Sequence, residues 1–198
     1  MPRARFSSPT PRGFSLIAVM IIMVIVSLLG VAASQMVLLG ERSARYDRDY
    51  QIAYQAAEAA LMDAEFDLRG PNTSAAQRVD TFTNTSLLGF VDGCGTGTDR
   101  GLCQSSTSAK PVWLSVDFTD TSTGAKTASF GEFTGRTMAY GLTGAQPAML
   151  PRYIIEAIPD QTPGSSLSAP KILHRVTAMG FGPRVETQAV VQMYFRKE

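Results

Sequence analysis

Residues 14–40 read FSLIAVMIIMVIVSLLGVAASQMVLLG, a stretch without a single charged side chain. Its only polar interruptions are Ser15, Ser27, Ser34 and Gln35. A helix of about 20 mainly apolar residues crosses a bilayer, and helix formation satisfies the backbone without water. The stretch therefore predicts a membrane-spanning helix over residues 14–40. A buried helix of a soluble core seldom runs so far without a charge. In front of it lies a short leader, residues 1–13, carrying Arg3, Arg5 and Arg12 and no acid. Positive flanks stay on the cytoplasmic side, so the chain beyond residue 40 is expected across the membrane. A secretory signal would have a shorter apolar core ending at a small-residue cleavage site. Ala32-Ala33-Ser34 imitates such a site, but the apolar run continues through Met36, Val37, Leu38 and Leu39.

Helical periodicity continues past Gly40. Tyr46, Tyr50, Ala53, Ala57, Leu61, Ala64 and Leu68 recur at three- and four-residue intervals and predict one apolar stripe. Alanine, glutamate, leucine and methionine favour helix in this segment. Gly70-Pro71 supplies the stop. One helix is expected over residues 14–70, apolar all round to residue 40 and amphipathic from 41 to 70. The amphipathic half needs a domain to cover it, and residues 71–198 are expected to provide that domain. Gly30 and Ser34 form a small-xxx-small pair that permits close helix approach. Gly30 also lowers helix propensity locally.

Strand patterns follow. Residues 111–118, around Trp113, and residues 152–158 read as short strands. Ile172, His174, Val176 and Ala178 alternate, as do Val185, Thr187, Ala189, Val191, Met193 and Phe195. Gly180-Phe-Gly-Pro183 reads as the turn between these last two strands. The fold class expected is α+β, an antiparallel sheet packed on the amphipathic half-helix. Residues 72–146, rich in Gly, Ser and Thr, are expected to hold long loops.

The formal net charge of +1 gives no reason to expect a nucleic-acid partner. The two cysteines, Cys94 and Cys103, flank a glycine-rich loop. In a domain outside the cytoplasm a disulfide is the natural reading, with free thiols as the alternative. A zinc site wants four ligands, and the chain has one histidine, His174, inside a strand pattern. Gly93, Gly95, Gly97 and Gly101 match neither a Walker loop nor a dinucleotide fingerprint. Asp117 and Asp120 are close in sequence without implying acid–base geometry. No catalytic residue, cofactor or metal is expected, and the chain does not read as an enzyme.

Gly13-Phe14-Ser15-Leu16-Ile17, behind a basic leader and before an apolar helix, resembles the cleavage junction of type IV prepilins. The resemblance implies cleavage between Gly13 and Phe14 by a prepilin peptidase and N-methylation of Phe14. The following helix resembles PilX-type minor pilins in Glu41-Arg42-Ser43-Ala44, Arg48-Asp49 and Tyr54-Gln55-Ala56-Ala57-Glu58. Looser echoes are Gly101-Leu-Cys103, Pro111-Val-Trp113, Pro151-Arg-Tyr-Ile-Ile-Glu156 and Arg175-Val-Thr-Ala-Met-Gly180. The family resemblance implies a pilin-like fold and a subunit that primes pilus assembly. It would wait in the bacterial inner membrane with its carboxy-terminal domain periplasmic, then enter the pilus. The implied partners are other minor pilins and the major pilin through the helix, the inner-membrane assembly platform and a tip adhesin, with adhesion and twitching motility as the outcome. Most pilins carry a glutamate at the fifth position of the mature helix, and here that position is Ala18. A subunit without this carboxylate cannot neutralise the buried amino terminus of its predecessor, and an unpaired buried charge is costly. Ala18 therefore implies a tip or initiating position. A minor pseudopilin of type II secretion shares the leader, the helix and the missing acid; a single-pass anchored periplasmic domain is the other alternative.

Overall fold

The computed structural model describes residues 14–83, 85–106, 110–141, 144–160 and 171–197. Gly13 lies outside them, and Phe14 is the first residue of a single helix, α1 (Phe14–Arg69). Among the described residues the chain divides into two compact units, one ending at Tyr46 and the other beginning at Asp47.

In the first unit, the large apolar side chains of α1 from Leu16 to Leu39 are exposed on the single chain. The helix is long and apolar enough to cross a membrane. It runs unbroken through Gly30, whose carbonyl accepts a hydrogen bond from Ser34 Oγ at 3.0 Å. Ser27 Oγ makes the same backbone contact to Met23 O at 2.7 Å. Both hydroxyls are thereby satisfied within the helix, as an apolar surrounding requires.

The second unit takes in the rest of α1. Here Ala53, Ala56, Ala57, Ala60, Ala64 and Leu68 are buried. Tyr46 and Tyr50, expected on this stripe, are exposed instead, and Leu61 is half-buried. The correction has a geometric cause. The face that meets the sheet is built from alanines, and small side chains let backbones approach closely, whereas tyrosine rings stand off. α1 stops where Gly70 takes a left-handed conformation, φ +69°. Gly70 N–H donates to Phe66 O at 2.7 Å, and Asn72 Nδ2 donates to the same carbonyl at 2.8 Å. Helix-end carbonyls are satisfied in this way by a glycine cap.

Among the described residues five strands form one sheet: β1 (Leu102–Gln104), β2 (Ala128–Ser129), β3 (Arg152–Pro159), β4 (Ile172–Phe181) and β5 (Gln188–Phe195). The order is β1-β3-β4-β5, with β2 also pairing β3. The β3–β4 and β4–β5 pairs are antiparallel, as expected, and β2, from the stretch expected to hold long loops, also pairs β3 antiparallel. β1 pairs β3 in parallel, so the sheet is mixed and not wholly antiparallel. β4 extends through Phe181, and the connection to β5 turns later than expected, closed by Gly182 N–H to Thr187 O at 2.7 Å and Thr187 N–H to Arg184 O at 3.0 Å. Val185 and Thr187 therefore lie in the turn, while Ala189, Val191, Met193 and Phe195 keep the inner face of β5. Residues 111–118 are not a strand. Val112–Leu114 form a single 3-10 turn, with Pro111 ahead of it unable to donate to a sheet ladder.

β3 is buried on both faces, which is why its sequence reads as a near-continuous apolar run. Tyr153, Ile155 and Ala157 join Ala60, Ala64 and Leu68 of α1, with Phe82, Phe90, Leu102 and Phe133, in one core cluster. Ile154 points the other way, into a second cluster with Val112, Phe118, Phe181 and the cysteine pair. Cys94 and Cys103 are joined in a disulfide. The glycine-rich segment between them is an ordered turn and not a slack loop. Gly97–Asp99 form a 3-10 turn, and Gly95 N–H bonds Leu102 O at 3.0 Å.

Candidate assembly helix and the polar contacts that hold its domain

The helix surface splits into an exposed apolar half and a half pinned to the sheet unit by carboxylates. Ala18 is half-exposed within the apolar half and offers no charge. Farther along α1, Asp49, Asp63 and Asp67 are buried, and none of the three is foreshadowed by the apolar stripe. Each meets partners distant in sequence. Asp49 forms an ion pair with Arg184, Oδ2 to Nη2 at 3.5 Å, and its Oδ1 accepts from its neighbour Arg48 at 3.1 Å. Asp63 Oδ2 accepts Gly131 N–H at 2.8 Å, and Oδ1 accepts the Thr134 hydroxyl. Burial raises the Asp63 pKa, while these two hydrogen bonds oppose the rise.

Asp67 is the centre of the arrangement. Arg78 Nη2 reaches Asp67 Oδ2 at 2.7 Å, and Arg78 Nε reaches both carboxylate oxygens at 3.2 Å. Tyr153 donates its hydroxyl to Oδ2 at 2.9 Å. Burial, with the adjacent Asp67 charge, holds the Tyr153 phenol well above its ordinary pKa, so it stays protonated and donates. Arg78 also donates Nη1 to Thr98 O at 3.0 Å and to Arg100 O at 2.8 Å, and its guanidinium lies 3.5 Å from the centroid of the Phe133 ring. A single arginine thus ties helix, disulfide turn and aromatic core together. Such a pair is shielded from water, and its charge-assisted hydrogen bonds are the stronger kind.

On the opposite face of β3, the fully buried Glu156 is held bidentately by Arg175 of β4, at 2.7 and 2.9 Å. The two residues sit directly across the β3–β4 ladder. His174 is fully buried, packed edge-on against Phe82 at 5.8 Å between centroids and beside Phe90 at 5.8 Å. Among the described residues neither ring nitrogen has a hydrogen-bond partner. Burial, aided by the Lys197 charge, lowers its pKa to about 4. The imidazole is therefore neutral at pH 7 and serves as a ring in the core. Asp117 and Asp120 close their own loop turns: Asp117 Oδ1 accepts the Thr119 hydroxyl and the Thr119 N–H, each at 2.7 Å, and Asp120 Oδ1 accepts Ser122 N–H at 2.8 Å. Those hydrogen bonds lower both pKa values.

An apolar amino-terminal helix whose second half is bedded on a β-sheet defines a pilin-type subunit. Two family models match the chain: PilX N-terminal over residues 12–61 and type IV pilus assembly protein PilX C-terminal over residues 99–197. The chain belongs to the PilX family of type IV pilus assembly proteins. Neither a curated protein nor a solved structure matches it. The family consists of structural pilus assembly components, which interact with other components of the pilus.

Proposed function

We propose that the chain is a minor pilin that primes type IV pilus assembly and stays in the tip complex, supporting adhesion and twitching motility. In this reading a prepilin peptidase cleaves after Gly13 and Phe14 becomes the N-methylated amino terminus. The apolar half of α1 holds the subunit in the inner membrane with the sheet unit periplasmic. It then leaves lipid to pack among the helices of other minor pilins and of the major pilin at the assembly platform.

The observation that carries the reading is the exposed apolar surface of α1 from Leu16 to Leu39, together with Ala18 within it. Lipid and a bundle of like helices are both apolar surroundings, so transfer between them keeps the hydrophobic burial that exposure to water would forfeit. Counting Phe14 as the first residue, Ala18 stands fifth and has no carboxylate to offer a neighbouring ammonium. Insertion beneath an existing subunit would leave that ammonium unpaired in an apolar core, at a cost of several kcal/mol by order of magnitude. The first subunit of a filament has no predecessor and avoids this cost.

Immunogold labelling of pili carrying an epitope-tagged chain tests the placement. Gold confined to one pilus end, with fewer pili per cell when the chain is deleted, is the expected result. Gold spread along the shaft would refute tip placement.

A further inference from the structure

One cavity of the sheet unit is lined by no residue of α1. It encloses about 520 Å³ and is lined by Arg100, Arg136 and Arg152 with Glu132, and by Phe130, Tyr140, Met149 and Leu150. This volume lies in the range of small-ligand sites, about 300–1,000 Å³. The three arginines are not equivalent. Arg100 is neutralised, its Nη1 lying 2.7 Å from Glu132 Oε1. The other Glu132 oxygen accepts Ser129 N–H at 3.0 Å.

Arg152 differs. The residue is only 5% exposed, yet among the described residues no carboxylate lies within ion-pair reach of its guanidinium. Its hydrogen bonds go to neutral acceptors of one residue, Nε to Thr127 Oγ1 at 2.7 Å and Nη2 to Thr127 O at 2.5 Å. The charges of Glu132, Asp120 and Asp117 act on it through space, in that order, and that of Arg100 opposes them. A buried charge is normally paired because desolvation is otherwise uncompensated. Arg136 is a second guanidinium in the same lining without an ion pair among the described residues. Its guanidinium carbon lies over the Phe66 ring, 3.4 Å from the centroid. Two guanidinium groups without a direct ion pair among the described residues therefore line one cavity, in which three arginines face the single carboxylate of Glu132, beside the ring of Tyr140 and the apolar side chains of Met149 and Leu150.

We propose that this cavity binds an oxyanion, a carboxylate or phosphate on a body no larger than a monosaccharide. Arg152 at the cavity wall supplies the buried charge, Arg136 the second fork, and Tyr140, Met149 and Leu150 the surface against which the body rests. Guanidinium forks match the oxygens of either anion bidentately.

The test uses the full chain in an uncharged detergent at fixed ionic strength. Binding of inorganic phosphate, glucuronate and neutral glucose is measured by calorimetry for wild type, Arg152→Gln and Arg136→Gln. Saturable binding of phosphate or glucuronate, none of glucose, and at least tenfold weaker binding in the variants is expected. Phosphate binding tighter than glucuronate identifies a phosphate site; the reverse order identifies an organic acid. Arg136 is exposed, so Arg136→Gln keeps the test open where Arg152→Gln fails to fold, as judged by circular dichroism. The proposal is overturned if neither anion binds wild type beyond the chloride background, or if folded Arg136→Gln binds as wild type does.

Discussion

Replacing Asp67 with alanine is expected to lower stability by about 3–5 kcal/mol, the cost of removing one partner from a buried ion pair. The residue is fully buried, and Arg78 opposite it has a side chain only 6% exposed. Truncation leaves the guanidinium without its counter-charge and leaves the Tyr153 hydroxyl without its acceptor. Both losses fall on the same side, because a donor or charge left unsatisfied in the interior forfeits its full solvation. The paired replacement Asp67→Leu with Arg78→Met removes both charges together. It should cost clearly less than the sum of the single changes, since well-packed apolar groups often replace a buried pair at little net cost. Guanidinium denaturation of the full chain in detergent micelles, followed through the fluorescence of Trp113, measures all three variants. An Asp67→Ala protein within about 1 kcal/mol of wild type would show that the pair contributes little.

Gly180→Val is expected to be the most damaging single change in β4. The glycine passes the helix at its alanine face, and a Cβ placed there would overlap Ala53 O, Ala57 N and the backbone carbon of Ala56. These are backbone atoms of a helix, which cannot swing aside as a side chain does. Accommodation would move α1 away from the sheet and strip burial from Ala53, Ala56, Ala57 and Ala60. Overpacking of this sort costs about 1–3 kcal/mol even where side chains can yield, and here the expected loss exceeds that range. Gly124→Ala is the control, because its Cβ would meet nothing closer than Ser122 Oγ at 3.7 Å. Thermal unfolding should place Gly124→Ala within a few degrees of wild type and leave Gly180→Val largely unfolded. A folded Gly180→Val of near-normal stability would mean that the helix is not held at this crossing.

What was legible in the sequence follows the strength of each periodic signal. The charge-free run, the Ile-rich run of β3 and the alternation in β4 and β5 mark themselves, because lipid exposure and two-sided or one-sided burial each impose a simple pattern. β1 and β2, three and two residues long, are too short to show a period. Residues 111–118 carry strand-forming side chains but are held as a 3-10 turn by local backbone bonds, among them Leu114 N–H to Pro111 O at 3.1 Å. Tyr46 and Tyr50 fit the helical spacing, yet the face chosen by the fold is the alanine face that lets β4 come close.

The polar interior was hidden for a different reason. Asp63 and Asp67 on a helix read as solvent-facing charges, and their partners lie far along the chain, Tyr153 being 86 residues from Asp67. Arg100, Arg136 and Arg152 share a cavity only because the topology gathers them there. Charge on a residue is visible in a sequence, whereas the lack of a counter-charge is a property of the folded neighbourhood. The signal in the sequence that points to Asp63 and Asp67 is their place at helical spacing beside Ala60, Ala64 and Leu68, on an otherwise small, apolar face.

The central claim is that the exposed apolar half of α1 is the amino terminus of a processed filament subunit. Purifying the chain from membranes with and without the prepilin peptidase, and reading its amino terminus by mass spectrometry, tests this most directly. The account predicts a chain that starts at N-methylated Phe14 only when the peptidase is present. An intact leader in both samples would contradict it.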